Sequence, residues 1–205
     1  MIFDNKPISE ITDEDLTDLI GNQEENLWIE FKRKHYEGYN TKNEKYRREI
    51  CKDVTAMANA EGGYILIGVD ANKNNNIAQK FFDISDANDK VKSIRDTCHD
   101  RIRPPIAKLE VKPRELELPD RKVNLIIVHV PFSENRPHGF NSNGTLNFVK
   151  RYEDTIREFD TEEFRLELFA DILKQRDLLS THDNTRLDRI ESQTIDILKA
   201  IGGIE

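Results

Sequence analysis

The chain has 205 residues, enough for one domain of ordinary size with an appendage. A hydrophobic fraction of 37% in clear apolar runs excludes a disordered chain, even with 34% of residues charged. A net charge of −8 excludes a basic nucleic-acid coat but leaves room for a local basic groove. Cys51 and Cys98 are too few for a zinc site, and no CxxC is present, so both read as buried thiols in a reducing compartment. The N-terminus lacks a basic-then-apolar leader pattern, and no apolar run approaches the roughly 20 residues of a membrane span. The expectation is a cytoplasmic protein without membrane association.

In chain order, "ITDEDLTDLIG" predicts a short helix, with Thr12 and Asp15 spaced as a capping box and Gly21 as a stop. "LWIEFKRK" predicts the first strand. Alternation sends Ile29 and Phe31 to one face and Trp28, Glu30 and Lys32 to the other, which is either a solvated face or the floor of a site. "HYEGYNTKN" is a polar loop, and "EKYRREICKDVTAMANAEGG" a helix with Ile50, Val54 and Met57 at helical spacing. "YILIGVD" predicts a strand buried on both faces, followed by the turn "ANKNNN".

A helix follows over Ala87 to Cys98, broken by "IRPPI". "AKLEVKPRELEL" and "KVNLIIVHV" predict a hairpin, with Pro113 marking an edge strand or bulge. "SENRPHGFNSNG" is a polar loop, "TLNFVKRY" a strand, and "DTEEFRLELFADIL" a helix opened by Asp160 or Thr161. The mixture predicts an α+β domain over residues 1–173, with a mixed sheet and flanking helices. Residues 174–205 read as the linker "STHDNT" and a helical tail, with an a/d seam at Leu187, Ile190, Thr194, Ile197 and Ile201. That tail either packs on its own domain or pairs with a second copy.

Glu30 and Lys32 share a strand face, with Glu25 upstream and Asp70 ending the buried run. Phosphodiester hydrolysis can use carboxylates that hold Mg2+ or Mn2+ and a lysine that stabilises developing charge. Alone, an exposed Glu-x-Lys is equally a solvated face, and Asp70 a turn residue. There is no GxxxxGK[ST] and no GxGxxG, so Gly62 and Gly63 read as a helix stop.

"EENLWIEFKRK", "VTAMANAEGGYILIGVD", "RPHGF" and "FVKRYEDT", in that order, resemble the Schlafen-type AlbA-like domain over roughly residues 20–170. The resemblance implies an α+β core that binds nucleic acid. For Schlafen members it implies a metal-dependent endoribonuclease acting on tRNA and rRNA, with three catalytic acids that fall here on Glu25, Glu30 and Asp70. It also suggests a toxin or antiviral setting. Many relatives carry further acids after the "GV" strand, where this chain has Ala71. The zinc cluster and second lobe of the larger members are absent from this sequence.

Basic groups for phosphate contact are Arg33, Lys34, Lys45, Arg47, Arg48, Lys52, Lys150 and Arg151, with Arg101 and Arg103 before the double proline. Trp28, Tyr36, Tyr39 and Tyr46 could stack on bases, and His138 could touch substrate. The expected function is a divalent-metal-dependent endoribonuclease acting on structured RNA, tRNA first, with Glu25, Glu30 and Asp70 as Mg2+ or Mn2+ ligands, Lys32 beside them, and a homodimer as the active form. The alternatives are a non-catalytic DNA- or RNA-binding regulator and an oligomerising scaffold.

Overall fold

Two adjacent parallel strands organise the computed structural model, which describes residues 3, 6–33 and 44–179. Strand β1 (Ile29–Lys32) pairs in parallel with β2 (Gly63–Ile67), placing Glu30 beside Ile65. The helix α2 (Glu44–Ala58) lies between them in the chain, as a parallel crossover requires. The hairpin strands β6 (Glu110–Glu117) and β7 (Lys122–Val130) complete a mixed sheet in the order β1-β2-β7-β6. Pro113 sits on β6, at the sheet edge, where its missing N–H costs no ladder bond.

Alternation along these strands builds two cores. Ile65, Ile67, Ile126 and Val128 face α2 and α3 (Ala87–Arg101), while Tyr64, Leu66, Leu125 and Ile127 join Ile29 and Phe31 on the opposite face. The N-terminal segment covers that second face through Ile11, Leu16 and Leu19. Its helix α1 (Asp13–Thr17) carries the expected Thr12–Asp15 capping box. Glu30 therefore projects to the α2 side, between two layers, although it sits among apolar neighbours in sequence.

The expected continuous strand over "YILIGVD" breaks at Gly68, whose φ is +106°. A Cβ there would lie 2.6 Å from Leu125 Cδ2 and 2.9 Å from the Phe82 carbonyl oxygen. The chain turns out of the main sheet at this glycine, and β3 (Val69–Ala71) pairs instead with β4 (Ala78–Phe81) as a two-stranded ribbon. A further antiparallel sheet runs β10-β9-β8-β5, from β5 (Ile102–Arg103), β8 (Gly139–Ser142), β9 (Thr145–Tyr152) and β10 (Thr155–Glu158). Its short strands β5 and β8 arise in stretches that the sequence pattern reads as breaker and loop.

The chain divides into a unit ending at Glu158 and a second beginning at Phe159. In the second, α4 (Thr161–Leu179) is opened by Asp160, whose Oδ1 accepts from the Glu163 N–H at 2.8 Å. Phe159 and Phe164 staple this start, with ring centroids 5.9 Å apart. The tail seam from Leu187 to Ile201, together with Lys34, Tyr36 and Tyr39, lies outside the described residues. Among the described residues, no helix is long and apolar enough to cross a membrane.

Gly63 shows where the β1–β2 contact is closest. Its φ is +140°, and a Cβ would lie 2.3 Å from the Trp28 carbonyl oxygen. Gly144 also has positive φ, at +82°, but nothing lies within 4 Å of its would-be Cβ. Gly63→Ala should therefore cost about 3 kcal/mol or more and Gly144→Ala about 1 kcal/mol, compared by urea unfolding. Equal costs would show that backbone conformation alone, without the close approach, governs Gly63.

Candidate functional site

Glu30 is a buried carboxylate on the central sheet, and both its oxygens are taken. Oε1 accepts from Lys32 Nζ at 2.5 Å, and Oε2 lies 2.6 Å from Arg151 Nη1. Lys32 Nζ also reaches Asp53 Oδ2 at 3.2 Å. Arg151 comes from β9, with only 2% of its surface exposed. Its remaining nitrogens donate to backbone carbonyls, Nε to Asn26 at 2.8 Å and Nη2 to Ile29 at 3.2 Å. The face of β1 that the sequence leaves open is thus neither solvated nor apolar. It carries a chain of charges of alternating sign, Arg151–Glu30–Lys32–Asp53.

Glu25 precedes β1 and is held over the same cluster. Its Oε1 accepts from the Phe31 N–H at 2.8 Å, and its own N–H donates to the Asn76 carbonyl at 3.1 Å. Burial, with Glu30 as like-charged neighbour, pushes its pKa up to about 7. Burial works against the charge of Lys32, but Asp53 and Glu30 outweigh it and hold its pKa above the ordinary lysine value. Glu25 is thus a carboxyl that exchanges its proton near neutrality, set beside a lysine that stays charged.

Asp70 stands on the ribbon strand β3, past the break at Gly68. Its neighbours there are Arg33, 4.0 Å away, and Lys80 across the strand pair. Among the described residues, no group of three His, Cys, Asp or Glu side chains converges as a metal site. Without such convergence, and with both Glu30 oxygens on cations, this arrangement does not fit the three acids to a common Mg2+ or Mn2+.

The basic residues fall in several places. Arg33 lies 4.4 Å over the Phe82 ring, with Lys80 4.9 Å from the same ring. Lys45 and Arg48 are exposed on α2, and Lys52 pairs with Glu49 at 2.9 Å. Arg47, Arg101 and Arg103 line a groove of about 840 Å3 that also presents Asp89, Asp96 and Asp100. Arg101 in it is held by Glu44 through both nitrogens, at 2.6 and 2.8 Å. Lys150 is half-buried beside Tyr152. Tyr46 is wholly buried in the α2 core, and Trp28 is half-buried in a groove edged by Asp15 and Asp18, acids that repel phosphate. His138 is fully buried, with Nε2 against Ser133 Oγ at 2.7 Å and Nδ1 against the Pro104 carbonyl at 2.8 Å; burial lowers its pKa.

Two signals in the sequence pattern point to this network. Asp53 falls between Ile50 and Val54 on the apolar stripe of α2, where a carboxylate calls for a buried cation. Arg151 shares its strand face with Val149, a core residue.

Residues 25–160 match the family model described as Schlafen, AlbA_2. No curated protein shows significant similarity. Among solved structures, the DIP2311 protein of Corynebacterium diphtheriae is similar, with 16% identity and a TM-score of 0.46; the match covers 70% of this chain and 24% of that one. The N-terminal domain of a RecG-related protein from Nitrosomonas europaea is also similar, with 21% identity and a TM-score of 0.42, over 65% of this chain and 80% of that one. This chain therefore spans about a quarter of the first structure's length.

Two measurements test the electrostatics. Arg151→Met leaves Glu30 buried with one cation fewer and should cost about 3–5 kcal/mol in urea unfolding. The raised Glu25 pKa means that the folded state keeps a proton that the unfolded state releases above its own value near 4.5. Glu25 therefore lowers stability progressively as pH rises from about 4.5 to about 7 and adds no further change above that. Glu25→Gln, which retains an acceptor for Phe31, should stabilise the protein more at pH 8 than at pH 5. A mutational effect independent of pH would overturn the raised Glu25 pKa, and with it both the burial cost and the repulsion by Glu30.

Proposed function

The chain belongs to the Schlafen AlbA_2 family, a nucleic-acid-related family, and from that premise we propose that it binds structured RNA, tRNA first, and cleaves its backbone at the Glu25–Glu30–Lys32 cluster. The observation that carries the proposal is the carboxyl pair, in which Glu25 has a pKa of about 7 and Glu30 is pinned by two cations. A group with that pKa takes a proton from the hydroxyl that attacks phosphorus and, at neutral pH, returns it to the oxygen that leaves as the backbone P–O bond breaks. Lys32, whose side chain is 26% exposed, is the cation of the cluster that can meet charge developing on a phosphate. Arg151 is buried and acts through Glu30 as a positioning residue. Glu25, Glu30 and Asp70 do not fit one Mg2+ or Mn2+ as they are arranged, so these roles are those of the chain's own groups. Pairing of two copies belongs to the same proposal, because one lobe offers little surface to a folded RNA.

One observation favours a second reading, a non-catalytic DNA- or RNA-binding module. Both Glu30 oxygens are satisfied by Lys32 and Arg151, as a purely structural ion-pair network requires.

Cleavage of total tRNA by the full chain, with Mg2+, with Mn2+ and with chelator, separates the readings. Glu25→Gln should lower cleavage by about 100-fold or more, the usual scale of a lost general base, while raising stability at pH 8. RNA affinity should stay within about threefold, since no phosphate-binding cation is removed. A structural role for Glu25 cannot give that combination. Undiminished cleavage by Glu25→Gln sinks the catalytic assignment, and RNA binding without cleavage under all three conditions establishes the second reading.

A further inference from the structure

The break at Gly68 carries Asp70 out of the main sheet and into a cluster of opposite charges. Asp70 on β3 lies directly across the strand pair from Lys80 on β4. Arg33, just past the end of β1, brings its Nε to 4.0 Å from Asp70 Oδ1. That separation makes an ion pair but is too long for a hydrogen bond. Both cations also stand at the Phe82 ring, the Arg33 guanidinium 4.4 Å and Lys80 Nζ 4.9 Å from its centroid. Phe82 is fixed in turn, its N–H donating to the Gly68 carbonyl at 2.8 Å. Asp83, the next residue, is engaged with Asn124, whose backbone N–H and side-chain amide donate to its Oδ1 at 2.8 and 3.0 Å. The patch lies where the parallel strands β1 and β2 end, with the Gly68 N–H donating to the Lys32 carbonyl at 2.8 Å. The carboxyl ends of parallel strands are a usual place for a ligand. The same ribbon reaches the Glu25 segment, whose N–H donates to the Asn76 carbonyl.

We propose that Arg33 and Lys80 seat one backbone phosphate of a bound RNA, and that Asp70 is the built-in anion which that phosphate displaces. The inference rests on the nucleic-acid reading above and deepens it, giving Asp70 an electrostatic part in place of a catalytic one. A phosphate suits the seat better than Asp70 does. It meets a guanidinium with two oxygens in a forked geometry, where Asp70 offers one contact beyond hydrogen-bond reach. The Arg33 side chain is 55% exposed against 21% for Asp70, and Lys80 is exposed, so an incoming anion meets the cations first. Contact with the Phe82 ring holds both side chains in place without neutralising them. Asp70 keeps the two like charges from facing one another uncompensated when no RNA is bound. The cost is a carboxylate beside the seated phosphate, which weakens the grip.

The test is fluorescence anisotropy of end-labelled total tRNA with the full chain, in chelator and across a salt series. Combined Arg33→Met and Lys80→Met substitution should weaken binding by about fivefold or more and make its log–log salt slope shallower by about 1. Asp70→Asn, which keeps the size of the side chain, should tighten binding by about three- to tenfold, because a like charge beside the seated phosphate is removed. In the background lacking both cations, the same Asp70→Asn change should alter affinity by less than about twofold. A general effect of net charge would persist in that background, whereas a counter-ion acts only through its cations. If Asp70→Asn binds tRNA no tighter than the wild type, or if its gain survives the loss of both cations, the inference is overturned while nucleic-acid binding stands. If the wild type does not bind tRNA, the nucleic-acid reading fails and this inference with it.

Discussion

The ion-pair chain Arg151–Glu30–Lys32–Asp53 joins three elements, β9, β1 and α2. Arg151 brings β9 to β1, and Lys32 brings β1 to α2. Removing four charges from water is expensive, by several kcal/mol per ion. The alternation of sign, and the carbonyls of Asn26 and Ile29 on the remaining guanidinium nitrogens, offset that cost. Such a network adds little net stability compared with an apolar core of the same shape. What it supplies is geometry, because Glu30 and Lys32 are each held between two opposite charges. The main sheet and the β9 sheet meet at a defined register for this reason.

Against that neutral chain, Glu25 is an addition out of balance. It is tied to the β1 backbone through Phe31 and to the ribbon side through Asn76, so it cannot turn away from Glu30 freely. Its negative charge meets a carboxylate across a partly buried space, and the proton it retains near neutrality relieves the repulsion. Local instability of this kind is what proton-transfer chemistry uses. Under the proposed catalytic role, stability and activity pull in opposite directions at this one side chain.

Surface charge follows the same economy. The chain is acidic overall, with net charge −8, and its cations are grouped in small sets rather than spread as a coat. Arg33 and Lys80 stand at Phe82, and Lys150 and Arg157 at Tyr152. The groove at Arg47 mixes arginines with aspartates.

Short-range pattern was enough for the fold class and for most local elements, though not for β5, β8 or the break at Gly68. The Thr12–Asp15 cap, the apolar stripe of α2, the doubly buried β2 and the edge position of Pro113 all follow from short-range patterns, because capping, helical periodicity and strand alternation act over a few residues. It also placed Glu25, Glu30 and Lys32 on one stretch. What stands opposite them depends on long-range packing. Arg151 is more than a hundred residues from Glu30 in the chain, and nothing in "FVKRYEDT" distinguishes a buried arginine from a surface one except the inward face of Val149. The fate of Asp70 depended on Gly68, where close approach of Leu125 and the Phe82 carbonyl turns the chain out of the sheet. A strand pattern shows which residues alternate, but where the chain leaves the sheet is set by contacts with segments that sequence proximity does not reveal.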